Sequence, residues 1–270
     1  MVALDIDGTL VDHEGVLPEK LRRTVRRVAM AGVPVILTTG RSWHATRPVF
    51  EELELPPGPA VASNGAVTVQ FPPFELLTAA TFDPSQVIDK VLREHPTAAL
   101  AAEVVGTGYR VTREFPEGEL FGQIDVVSAE DLAGDDVSRI IVRDPEASEG
   151  EFIDLAGRLG LHGVSYSVGW SAWLDIAPEG VNKATGLAEV VSALGFSAQD
   201  VLALGDGRND IEMLRWAGRG VALGDACAEV RDAADAVTGR FADGGTTAEL
   251  ERWFGRASSR RVGELRAAVG

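Results

Sequence analysis

The sequence predicts an α/β protein whose parallel-sheet core is interrupted by an inserted α+β module. Three observations predict it. Apolar runs at 2–6, 33–37 and 201–204 are short and nearly continuous, as in strands buried on both faces. Segments with apolar residues at helical spacing follow each run. Between about Phe71 and Ala177 this alternation stops, and short period-two stretches take over.

Taken in order, the run at 2–6 reads as a strand interrupted by Asp5. Pro18-Glu19-Lys20 opens a helix, Leu21, Val25 and Val28 keep its apolar face, and Gly32 closes it. The run at 33–37 is a second strand, ending in Thr38-Thr39-Gly40-Arg41. Strand, helix, strand makes a βαβ unit with parallel strands. Ser42 is placed to cap a helix reaching about Leu53, a third strand spans 59–62, and Ser63-Asn64-Gly65-Ala66 is a turn. In the insertion, strands are expected at 109–112, 124–128 and 139–142, with helices near 85–93 and 149–159. After Pro178 the rhythm returns: helix 183–194, strand 201–204, helix 209–217, strand 220–223, then a frayed or helical tail from about Arg256 carrying Arg260, Arg261 and Arg266. The expected division is 1–76 with 179–270 as core and 77–178 as insertion.

A chain of 270 residues exceeds the usual single domain, and 45% apolar with 24% charged residues is an ordinary globular composition. No apolar run is long enough to cross a bilayer, and no basic segment precedes a long apolar one at the start. The one cysteine, Cys227, cannot form an internal disulfide, which fits a reducing compartment; the cytoplasm is the expectation. A net charge of -16 makes nucleic acid and anionic membranes poor partners. Any anionic substrate would need a cation to reverse the local field. A monomer is the default.

Four stretches carry chemistry. Asp5-Ile6-Asp7-Gly8-Thr9-Leu10 ends a buried strand, where two acids are costly unless compensated, and Gly8 permits a tight turn. Gly205-Asp206-Gly207-Arg208-Asn209-Asp210 sits at another strand end; alone it is a glycine turn with a helix cap. Thr39-Gly40-Arg41 alone is everyday loop chemistry, and Lys183 alone is a solvated lysine. Together they supply a nucleophile, a proton donor, hard oxygen ligands and a cation, the parts of phosphoryl transfer.

In chain order the four stretches resemble the motifs of the haloacid dehalogenase superfamily. Gly205 to Leu214 (Gly-Asp-Gly-Arg-Asn-Asp-Ile-Glu-Met-Leu) is similar to the Cof-type branch, which includes sucrose-phosphate phosphatases. Ser63-Asn64-Gly65-Ala66, Gly180-Val181-Asn182-Lys183 and Gly220 to Ala226 extend the match. The resemblance implies a Rossmann-like parallel-sheet core with an inserted α+β cap. It also implies a Mg2+-dependent phosphatase of small phosphorylated metabolites, sugar phosphates foremost, working through an aspartyl-phosphate. On that resemblance Asp5 is the nucleophile and Asp7 the general acid and base. Asp5, the Asp7 carbonyl and Asp206 hold the metal, with Asp210 orienting that shell. Thr39 and Lys183 bind phosphoryl oxygens, and Asn209 supports Lys183 or the metal shell. Gly8, Gly40, Arg41 and Asn64 fall where relatives meet substrate or cap, Arg41 and Asn64 having helix-start and turn roles as equal alternatives. Only residues 1–4 precede Asp5, which leaves a trimmed start open; Leu223 and Asp225 replace the usual methionine and asparagine.

Other readings stay open. A dehalogenase needs no magnesium and lacks an acid at the place of Asp7. A sugar phosphomutase shares the first motif. A phospho-aspartate switch module is about half this length and has no cap. Trp170 with Trp173, and Tyr109 with Arg110, are candidates for a substrate surface but fit packing as well. His13, His44, His95 and His162 have no ligand spacing, and Cys227 is expected to pack as a small apolar group.

Overall fold

The computed structural model describes residues 1–159, 164–168 and 173–255; Trp170, His162 and the arginines at 260, 261 and 266 lie outside them. Five parallel strands form the core sheet, in the order Ala236–Val237, Arg219–Ala222, Leu202–Gly205, Val2–Leu4, Val35–Leu37. Val2–Leu4 lies between Leu202–Gly205 and Val35–Leu37, so the motif-bearing strand ends emerge side by side. Ligand chemistry gathers at this carboxyl edge of parallel sheets. The central strands are buried on both faces: Val2 and Leu4 pack with Val25, Val28 and Phe50, while Ala3 and Ile36 pack with Leu187, Val191 and Met213. Helix Glu19–Met30 has Pro18 at its N-cap, and Gly32 follows its end with φ +82°. Helix Trp43–Glu52 is capped by the Ser42 hydroxyl, which accepts from the Ala45 N–H at 3.4 Å.

The third strand, Gly58–Ala62, joins the edge through one parallel bridge, Thr38 with Val61, and then heads an antiparallel sheet with Val67–Phe71 and Glu75–Ala79. That hairpin was not foreseen, and Glu75–Ala79 straddles the expected boundary at 76. The insertion is a six-stranded sheet, in the order Val164–Val168, Trp173–Pro178, Ile140–Arg143, Ala99–Val104, Gly108–Val111, Gln123–Val126. Helices Ser85–Glu94 and Glu149–Leu159 cover one face, with Val87, Val91, Phe152 and Leu155 packed on Leu100, Ile140, Val142 and Ile176. Period-two alternation puts Tyr109, Ile141 and Trp173 on the other face, with Arg139 and Asp175 in the same parity. We propose that the chain divides as expected, with 77–178 as the cap, apart from strand Glu75–Ala79, which crosses that boundary. The helix expected at 209–217 is a 3-10 turn, Arg208–Asp210, followed by helix Ile211–Trp216. Cys227 corrects an expectation: it is exposed, at the N-cap of the short helix Ala228–Ala233, so it fills no core gap.

Candidate active site

Asp5 directly follows Val2–Leu4, and its N–H donates to the Leu204 carbonyl at 3.0 Å, so the adjacent strand fixes its place. Asp206 directly follows Leu202–Gly205. Gly8 turns the chain between them at φ +78°, and a Cβ there would sit 2.2 Å from Asp206 Oδ2; only glycine lets the first turn close on the second. The Thr9 hydroxyl donates to Asp206 Oδ1 at 2.9 Å, and Thr246 holds the Thr9 carbonyl at 2.7 Å. Asp210 uses Oδ2 to accept from the N–H groups of Asp206 at 3.0 Å and Gly207 at 2.9 Å.

Lys183 begins helix Lys183–Ala193 and is fully buried, with Nζ 2.6 Å from Asp5 Oδ1 and 2.6 Å from Asp210 Oδ1. Two features aim it. Asn182 caps the helix, accepting from the N–H groups of Ala184 and Thr185, while the Thr185 hydroxyl accepts in return from the Asn182 N–H. The helix start also crosses the turn after Gly58–Ala62 at glycine distance: a Cβ on Gly65 would lie 2.0 Å from the Asn182 carbonyl.

Asp5, Asp206 and Asp210 each bring a carboxylate oxygen within 4.8 Å of the others. With all three carboxylates ionised against one ammonium, this buried group would carry a net charge of -2. Burial first, then Asp210, pushes Asp5 well above the usual carboxylate range. The same causes push Asp206 up to about 7. Burial alone would lower Lys183, but Asp210 and Asp5 outweigh it and the amine is held charged. A hard dication suits this donor set: all the ligands are oxygens and its charge cancels the excess.

The other residues expected at the site take several places. Thr39 is fully buried, and its hydroxyl accepts from the Arg41 N–H at 3.1 Å. Arg41 grips Asp7, Nε to Oδ2 at 2.9 Å and Nη2 to Oδ1 at 2.6 Å. Asn209 donates to Asn64 Oδ1 at 2.9 Å; Asn64 is buried at φ +53° and its N–H donates to the Thr39 carbonyl. Gly40 gives its carbonyl to Arg139 at 2.6 Å. A cavity of about 740 Å³ opens above Asp5, Asp7, Gly40, Arg41, Asp206 and Asn209. Thr39, Asn64, Lys183 and Asp210 lie behind its wall.

The sequence reading missed the clasp that closes this cavity. Arg139, 3% exposed, lies with Nε 2.9 Å from Glu103 Oε2, an ion pair without hydrogen-bond alignment, and its Nη1 reaches Asp175 at 3.2 Å. Its Nη2 donates to the Tyr109 hydroxyl at 2.7 Å, and Glu103 accepts from the Ser63 hydroxyl. A cation opening the apolar run at 139–142 was the available signal. Tyr109 and Trp173 line the cavity, whereas Arg110 pairs with Asp135 elsewhere.

Residues 2–250 match the family model described as haloacid dehalogenase-like hydrolase. A Bacillus subtilis protein named 5-amino-6-(5-phospho-D-ribitylamino)uracil phosphatase YcsE is 27% identical, with 94% of this chain and 95% of that protein covered. A phosphoglycolate phosphatase of Natronomonas pharaonis is 30% identical, covering 90% of this chain and 93% of the relative. A crystal structure of a haloacid dehalogenase-like hydrolase from Bacteroides thetaiotaomicron superposes with TM-score 0.79 at 22% identity, over 94% of this chain and 98% of that one.

Proposed function

Because this chain belongs to the haloacid dehalogenase-like hydrolases, we propose that it is a magnesium-dependent phosphatase of small phosphorylated metabolites, acting through Asp5. The observation that carries this reading is the buried Asp5, Asp206, Asp210 and Lys183 group at the mouths of adjacent parallel strands, two positive charges short of neutrality when its acids are ionised. Asp5, the Asp7 carbonyl and Asp206 would hold Mg2+, with Asp210 orienting them. The ion would supply charge neutralisation for the incoming phosphoryl group.

In the first step an Asp5 carboxylate oxygen attacks phosphorus as the ester P–O bond breaks, and Asp7 gives its proton to the departing oxygen. In the second, water attacks phosphorus, Asp7 takes back a proton, and the aspartyl P–O bond breaks to free inorganic phosphate and Asp5. Lys183 lowers the repulsion between Asp5 and the anion, and Thr39 orders the loop that faces it. Arg41 holds Asp7 at the cavity edge before substrate arrives. The cap closes over the site and limits water during the first step.

The relatives' names bracket two leaving-group chemistries: a neutral polyhydroxylated ribitylamino compound and an anionic glycolate. Phosphate release from p-nitrophenyl phosphate and sugar phosphates tests the reaction class. EDTA should silence it, magnesium should restore it, and full activity in EDTA would overturn the metal assignment.

A further inference from the structure

The cavity has a wall that the reaction above does not use. Cap residues Tyr109, Glu119, Phe121, Arg139, Trp173 and Asp175 line it. Among the described residues its one lining cation is Arg139, which is engaged by Glu103, Asp175, Tyr109 and the Gly40 carbonyl. Glu119 receives Nε and Nη2 of Arg143 at 2.8 and 2.7 Å, and Arg143 lies buried behind the lining. Each acid is therefore fixed in place by an arginine, and a carboxylate has more acceptor positions than these bonds use. Elsewhere on the lining Glu14 adds a further acid, Arg41 is gripped by Asp7, Arg208 pairs with Glu229, and His13 is exposed.

A substrate whose leaving group carries its own negative charge would bring it against Glu119 and Asp175, whose cations, Arg143 and Arg139, are already matched by these carboxylates. A hydroxyl-bearing neutral group instead finds acceptors in those carboxylates and apolar faces in Trp173 and Phe121. Resting on the phosphatase reading, we propose that this wall selects by charge. It admits phosphate esters of neutral, hydroxylated alcohols and turns away phosphocarboxylates and bisphosphates, with Asp175 and Glu119 as the discriminating residues. Of the two leaving-group chemistries above, the neutral one is assigned to this chain.

The test uses pairs matched in size: 2-hydroxyethyl phosphate against phosphoglycolate, and glycerol 1-phosphate against 3-phosphoglycerate, with p-nitrophenyl phosphate as reference. The expected kcat/KM favours the neutral member by about tenfold or more, chiefly through KM, and added salt narrows the gap. Asp175→Asn and Glu119→Gln should each narrow it too. The ratio is taken within one preparation, so partial unfolding of a variant cannot imitate the effect. Equal or faster turnover of the phosphocarboxylates, or a ratio that neither substitution moves, would overturn the proposal. Failure to hydrolyse even p-nitrophenyl phosphate with magnesium would instead bring down the phosphatase reading, and this inference with it.

Discussion

Asp5 is buried beside two other acids with one lysine between them, and its neighbours leave it few alternatives. Replacing Asp5 with Asn keeps the volume and removes the nucleophile, so phosphate release should fall by more than roughly 10⁴-fold with an unchanged circular dichroism spectrum. Replacing Asp7 with Asn should cost roughly 10²–10⁴-fold in kcat. Gly8→Ala is a geometric test: its Cβ would press on Asp206, so magnesium affinity should drop, as read by titration calorimetry. The strand-end acids were legible because a strand pattern ending in carboxylates is chemically odd on sequence alone, whereas Lys183, a solvated lysine by itself, was placed with them only by the family resemblance. The clasp of Arg139, Glu103 and Asp175 was not, since its members come from two strands and the residue that leads into a third, which only folding brings together. Thr246 was equally hidden, in a helix 237 positions from Thr9.

At the level of elements, the helix that presents Lys183 depends on its capping box. Asn182→Ala should cost about 1 kcal/mol of stability in urea unfolding, and activity should fall with it because Lys183 opens the same turn. Core strands and helices with strong periodicity were readable to within a few residues, Glu149–Leu159 among them. What escaped were the elements with weak local signals. The hairpin Val67–Phe71 and Glu75–Ala79 exposes its outer strand, and Ala228–Ala233 and Ala236–Val237 are too short to show a period. Helix Gly245–Phe254 starts at a glycine pair and carries Glu249 buried, which blurs its apolar face.

Across the whole molecule, charge couples stability to the metal. Asp206 is raised to about 7 in the metal-free fold, so between its ordinary range and 7 the folded state binds more protons than the unfolded one. Stability of the EDTA-treated protein should therefore decline as pH rises through that window, and Asp206→Asn should flatten the decline in thermal unfolding. Saturating magnesium should raise stability by about 2.7 kcal/mol at a hundredfold excess over Kd. Arg139 joins cap to core through the Gly40 carbonyl; Arg139→Ala would strand Glu103 and Asp175 and should cost about 3–5 kcal/mol. The central claim is that Asp5 carries the phosphoryl group between the two steps. It is tested most directly by acid-quenching the enzyme in mid-turnover with radiolabelled substrate and locating the label by peptide mapping. The account predicts label on the peptide containing Asp5 and none in the Asp5→Asn variant. Label elsewhere, or rapid phosphate release by that variant, would contradict it.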